Sequence, residues 1–135
     1  MTAARGSVRS EVRVRAAADD IWAVVGDPAR LTEWFPGFTS CTVDGDTRTV
    51  VMGSGITMPE RILTVDRLLR RFQYRITSPA FTEHLSTIDV HDLGDGTCLV
   101  VYSVDAEPSV MALVIGGAAA GALENLKAIV EGASP

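Results

Sequence analysis

Glu60, Tyr74, His84 and Tyr102 are the side chains of this sequence whose types and spacing point beyond packing to chemistry. A carboxylate and an imidazole projecting into an apolar chamber take perturbed pKa values, the ordinary setting of acid/base catalysis or of ligand orientation. Ser86 and Thr39 accompany them. The alternative is a mutually satisfied polar pair in a wet core, and residue types alone leave all three readings open. Metal chemistry has little to stand on, because the chain holds two histidines, and neither Cys41 nor Cys98 has a His-rich ligand neighbourhood. No metal and no cofactor is therefore expected. The sequence has no Gly-rich phosphate loop, no Gly-x-Ser-x-Gly elbow and no His-Glu-x-x-His, so nucleotide, hydrolase and zinc-protease chemistry fall away.

The elements that must position these groups are strands. Phe72, Tyr74 and Ile76 alternate with Arg71, Gln73 and Arg75; His84, Ser86, Ile88 and Val90 oppose Glu83 and Asp89; Val100, Tyr102 and Val104 oppose Asp105 and Glu107. That period of two puts Tyr74, His84 and Tyr102 on one apolar face, with the charges marking the wet side. His91 falls on the wet side. Over Thr57 to Val65 both faces are mixed, so alternation alone does not place Glu60. Turn signals at Asp44-Gly-Asp46, Gly53-Ser-Gly55, Asp66 to Arg70, Ser78-Pro79 and Gly94-Asp-Gly96 divide residues 38–107 into six hairpin-connected strands.

Ahead of them, Val8, Ser10, Val12 and Val14 alternate with arginines and Glu11 as a first strand. Asp19 and Asp20 then occupy N-cap and first-turn positions of a short helix that stops at Gly26-Asp-Pro28, and a second short helix over 28–34 ends in Trp34-Phe-Pro-Gly37. Trp22 and Trp34 are expected to hold these helices at a cavity mouth.

Behind the strands, residues 108–123 carry no charge and run into Glu124-Asn-Leu-Lys-Ala-Ile-Val-Glu131. The pattern predicts one helix of about 22 residues, roughly 33 Å long. It keeps Gly116, Gly117 and Gly121 in its interior, at about 1 kcal/mol each relative to Ala. Such a handicap needs a spatial reason: close approach to a sheet, or empty volume beneath the helix. Gly117-Ala-Ala-Ala-Gly121 also matches a small-xxx-small contact motif, read here as close backbone packing.

With 135 residues, 47% of them hydrophobic, the chain reads as one domain over 1–135 with a real core. A net charge of −5 argues against nucleic acid. The uncharged stretch is shorter than the roughly 18 apolar residues of a membrane span, and the N-terminus lacks an apolar signal core. No stable membrane insertion and a cytoplasmic location are the expectations, with both cysteines as buried thiols. An antiparallel sheet with one apolar face needs a cover, and the last helix is the large one available. The fold class is thus α+β: a curved seven-stranded antiparallel sheet wrapped around a long C-terminal helix, with two short helices between strands one and two.

This order, together with Ala18-Asp-Asp-Ile-Trp-Ala-Val-Val-Gly-Asp27, Leu31-Thr-Glu-Trp-Phe-Pro-Gly37, Pro59-Glu-Arg-Ile62, Asp66 with Arg70-Arg-Phe-Gln-Tyr-Arg75, and Gly121-Ala-Leu-Glu-Asn-Leu-Lys127, resembles the START-like (SRPBCC) superfamily over nearly the whole chain. The resemblance implies a helix-grip domain enclosing an elongated apolar cavity, with Glu60 pointing into it. It does not select a function, since the superfamily includes lipid carriers, cyclases, hormone receptors and co-chaperone-like proteins. The plant hormone receptors of this kind carry a ligand-anchoring lysine where this chain has Thr39, and their Gly-Leu-Pro gate is matched only by Gly55-Ile-Thr57, so receptor chemistry is not implied.

The wall of the cavity is expected to comprise Thr39, Cys41, Val50, Met52, Met58, Glu60, Ile62, Phe72, Tyr74, His84, Ser86, Ile88, Val100, Tyr102, Val114, Ala118 and Ala122. The first functional expectation is a non-catalytic carrier or sensor for a hydrophobic small molecule, lipid or polyketide-like, acting as a monomer or weak homodimer. The second is a polyketide aromatase/cyclase with Glu60 or His84 moving protons on a substrate held between Tyr74 and Tyr102. The third is a stress or toxin-type protein-interaction module.

Overall fold

The alternating valines near the N-terminus form strand β1 (Gly6–Val14), which buries Val12 and Val14 and turns its arginines outward in a computed structural model that describes residues 4–132. Helix α1 (Ala18–Val25) follows, burying Ala18, Ile21 and Val25. Its N-cap is Ala17, with no side-chain cap, so the expected capping role of Asp19 or Asp20 does not hold. Both acids lie in the first turn instead, where a negative charge meets the positive end of the helix dipole. A 3-10 helix spans Pro28–Glu33, opened by the Asp27 carboxylate accepting from the Ala29 amide at 3.0 Å.

Six further strands follow: β2 (Phe38–Asp44), β3 (Thr47–Met52), β4 (Thr57–Asp66), β5 (Arg71–Ile76), β6 (Glu83–Asp92) and β7 (Cys98–Glu107). They join β1 in one antiparallel sheet of order β1-β7-β6-β5-β4-β3-β2, so the first two strands of the chain form its opposite edges. Helix α2 (Ser109–Val130) closes the inner face. This is the helix-grip architecture expected from the order of elements, with α2 at the expected length.

Two irregularities decide which side chains face inward. In β2 the register passes from Phe38↔Met52 to Ser40↔Val51, leaving Thr39 as an extra residue. A bulge of that kind switches the face of everything beyond it, so Phe38 and Cys41 both turn toward the interior while Thr39 is exposed. In β4 the shift falls between Ile62 and Thr64. Before it, Met58, Glu60 and Ile62 share the inward face, which settles the side of Glu60 that alternation left open.

Helix α2 packs on β1 and β7, burying Ala112, Gly116, Ala119, Ala122, Leu123 and Leu126. Its three glycines do different things. A Cβ at Gly116 would stand 2.7 Å from Cγ1 of Val8, so this glycine lets α2 approach β1 closely. At Gly117 and Gly121 a Cβ would meet nothing within 4 Å, and both positions are exposed. By length and composition α2 is apolar enough to cross a membrane, because the helix continues past the uncharged stretch to Val130. In the fold Ala112, Gly116, Ala119 and Ala122 lie against the sheet, and Val110, Leu113 and Val114 remain exposed on the other side.

Candidate functional site: a cavity beside a buried ion pair

Because α2 descends onto the β1/β7 side, the open volume lies at the other end of the sheet. A cavity of about 150 Å³ is lined there by Met52, Met58, Glu60, Tyr74 and Ile76 from the sheet and by Val114, Ile115 and Ala118 from α2. The remaining wall is Leu31 and the turn Phe35-Pro-Gly-Phe38. That turn is fixed from two directions: Gly53 donates its amide to the Gly37 carbonyl at 2.9 Å, and Asn125 of α2 donates to the Trp34 carbonyl at 2.8 Å. Pro36, Gly37, Val114 and Ala118 are exposed as well as lining, which places the mouth between this turn and the first half of α2.

The charged residue on the wall is Glu60. Directly across the β3–β4 register stands Arg48, and its Nε donates to Glu60 Oε1 at 2.6 Å, with both side chains 3–4% exposed. Arg48 also donates from Nη1 to the Pro28 carbonyl at 3.2 Å. Its guanidinium carbon lies 4.8 Å from the Tyr74 ring centroid and 5.2 Å from that of Phe72, both cation–π distances. Burial pushes the Glu60 carboxyl above its usual range, and the Arg48 charge and hydrogen bond oppose that push. Charges this deeply buried persist when paired and hydrogen-bonded, and this pair is both.

Arg48 was not foreseen from the sequence, since a lone arginine in a strand reads as an outward charge. The available signal was its spacing: it lies two residues before the buried Val50 on a period-two strand, and a buried Glu60 requires a cation.

His84 does not share the cavity with Glu60, contrary to the expected partnership. Glu60 pairs in register with Ile76, and on the far side of β5 the Ile76 amide donates to His84 Nδ1 at 2.8 Å. The other ring nitrogen, Nε2, bonds Ser86 Oγ at 2.8 Å. With both nitrogens held, His84 is fully buried against Phe81 and Tyr74. Desolvation, with Arg75 nearby, lowers its pKa to about 4. It is a neutral structural histidine at pH 7.

The two inward tyrosines meet at their hydroxyls, Tyr74 to Tyr102. Burial raises Tyr74 to about 12 and Tyr102 well above the ordinary phenol value, so both stay protonated.

Of the residues expected on the wall, the structure therefore brings together Met52, Met58, Glu60, Tyr74, Val114 and Ala118. Val50, Phe72, Ser86, Ile88, Val100, Tyr102 and Ala122 are buried in packed core off the wall, the β7 residues on the side of the sheet where α2 packs. Cys41 and Ile62 are partly buried off the wall, and Thr39 points outward at its bulge. Leu31, the 35–38 turn, Ile76 and Ile115 were not expected on the wall; the signal of the turn was its aromatic-Pro-Gly sequence, read as a helix stop and as a motif of the resemblance but not as part of the cavity. Among the described residues no group of three or more His, Cys, Asp or Glu is placed to hold a metal ion.

The sequence profile of the polyketide cyclase/dehydrase and lipid transport family matches residues 5–131. The chain belongs to that family. Solved structures of the same fold include protein XoxI from Bacillus cereus, 21% identical with a TM-score of 0.89, covering 96% of this chain and 99% of that one. Norcoclaurine synthase from Thalictrum flavum, solved with a transition-state analogue, is 22% identical with a TM-score of 0.73 over 100% of this chain and 99% of its own. The di-domain aromatase/cyclase BexL of the BE-7585A biosynthetic pathway is 18% identical with a TM-score of 0.79, 96% of this chain covering 48% of that one. At these identities the likeness is one of fold. Among curated proteins no sequence match is found. The family's breadth, spanning cyclases and lipid carriers, leaves the function of its members to the individual cavity.

Proposed function

We propose that this protein binds a small hydrophobic molecule in the cavity between the 35–38 turn and α2, as a carrier or sensor. The observation that carries this reading is the character of the wall: apolar throughout except for Tyr74 and for Glu60, whose charge Arg48 already neutralises. Ligand pockets are of this kind, with few convergent polar groups. The volume sharpens the class. At about 150 Å³ the space is well short of a multi-ring polyketide or a whole lipid, since pockets for drug-sized ligands run from roughly 300 to 1,000 Å³. A single ring with a short substituent, or one end of a longer chain entering by the mouth, matches it.

Thermal-shift and native mass-spectrometric screening of one-ring aromatics, short and long fatty acids and aromatic polyketides tests the proposal. One-ring compounds should raise Tm and be retained; a protein unshifted by every class would overturn it.

A second reading, a cyclase of the family's kind, is favoured by one observation: a carboxylate with a raised pKa stands on the wall. Glu60 would then be the acid/base group. His84 would not, since neither nitrogen is free. Turnover of a poly-β-ketone substrate by the wild type and its loss in Glu60→Gln would establish this reading over pure binding.

A further inference from the structure

The hydrogen-bond polarity behind the cavity wall runs in one direction, and it starts at a backbone amide. The Ile76 N–H can only donate, so His84 Nδ1 must accept. A neutral imidazole has one N–H, and with Nδ1 accepting, that hydrogen is on Nε2. Nε2 therefore donates to Ser86 Oγ, 2.8 Å away, and leaves the Ser86 hydrogen for another acceptor. Across the β5–β6 register from Ser86 is Tyr74. Tyr74 and Tyr102 are bonded to each other. The two phenols hold two hydroxyl hydrogens and share a single bond. One phenolic hydrogen is taken up by that bond, and one is left over. Among the described residues no protein acceptor is recorded for it. Tyr102 is sealed in packed core, whereas Tyr74 lines the cavity.

We infer that Tyr74 presents a hydrogen-bond donor to the cavity, so that the ligand class is an aromatic or short-chain carbonyl compound whose oxygen accepts from the Tyr74 hydroxyl. Glu60 stands on the same wall and uses Oε1 for Arg48, which leaves Oε2 to accept from a hydroxyl elsewhere on such a ligand. A buried donor without a partner costs more than the bond itself gains, so the cavity discriminates against a hydrocarbon of identical shape.

This inference rests on the cavity being a binding site, and the test separates the two. Acetophenone and α-methylstyrene differ by a carbonyl oxygen against a methylene group. Their affinities are measured by NMR titration for the wild type, Tyr74→Phe and Tyr102→Phe. The wild-type preference for acetophenone should fall roughly three- to tenfold in Tyr74→Phe and be largely kept in Tyr102→Phe, which removes the same phenol–phenol bond but not the donor on the wall. Independently of any variant, the ¹³C carbonyl resonance of acetophenone bound to wild type should lie downfield of its position in hexane. Equal ratios in all three proteins, or a bound carbonyl resonating as in hexane, would overturn the inference while leaving the binding site intact. If neither compound binds, this inference fails, and the proposed function is decided separately by the wider screen of fatty acids and polyketides.

Discussion

Glu60 Oε1 lies 2.6 Å from Nε of Arg48 on the neighbouring strand, and the pair sits under the ring of Tyr74 rather than beside His84. Removing Arg48 leaves a carboxylate buried without its cation. Arg48→Met should therefore cost about 3–5 kcal/mol in urea denaturation, and Arg48→Met with Glu60→Gln should recover much of it. The loss should be smaller at pH 5 than at pH 7. In the variant the folded carboxyl has its pKa raised by burial with nothing to oppose it, so the folded state binds the proton more tightly and gains stability as pH falls. A cycle pairing Glu60 with His84 should show coupling below about 0.5 kcal/mol, since the two bond on opposite sides of β5.

His84 gives the opposite pH dependence. Its folded pKa is lowered to about 4 from an ordinary value of 6.5. A base that resists protonation in the folded state contributes stability above pH 6.5 that is lost as pH falls toward 4, because the unfolded chain takes up the proton first. The loss should be on the order of 2–3 kcal/mol across that window. Chemical denaturation at a series of pH values checks it, and His84→Gln should flatten the curve between pH 6.5 and 4.

The legible part of this protein was its alternation. Tyr74, His84 and Tyr102 fell on the inner face because arginines and acids marked the outer one, and the uncharged C-terminal stretch announced the helix that covers them. What alternation could not carry was a break in its own period. Thr39 is turned outward by a one-residue bulge, and the face of Glu60 depended on where in β4 the second bulge fell. The pairing of His84 was lost for a different reason: being on the same face says nothing of which strand stands between, and here β5 does. Arg48 was hidden by the rule that charges face water, which a buried carboxylate directly across on the neighbouring strand overrides.

Cavity volume is the property that a single substitution tests most directly. Ala118 is on the wall near the mouth, with open volume in front of it. Ala118→Phe should fill that volume and abolish binding of one-ring ligands, while stability changes by less than about 1 kcal/mol, because the new ring displaces no packed atoms. Ligand titration together with urea denaturation reads both effects. A loss of roughly 1–3 kcal/mol would mean instead that the site is closed packing.

The glycines of α2 separate close approach from open space within a single helix. Gly117 and Gly121 have nothing within 4 Å of a Cβ, so Gly117→Ala and Gly121→Ala should each stabilise the protein by about 0.4–1 kcal/mol through reduced backbone entropy of the unfolded chain. Gly116→Ala meets Val8 at 2.7 Å from Cγ1 and 3.0 Å from Cβ. Val8 is β-branched and stiff at χ1, so it cannot swing its methyls away without moving β1 against α2. That substitution should destabilise despite the better helix propensity of alanine, by roughly 1–3 kcal/mol as overpacking does. Thermal melts of the three single variants give the signs directly, two up and one down. Three increases would mean that β1 yields to the helix and that Gly116 is not what sets their separation.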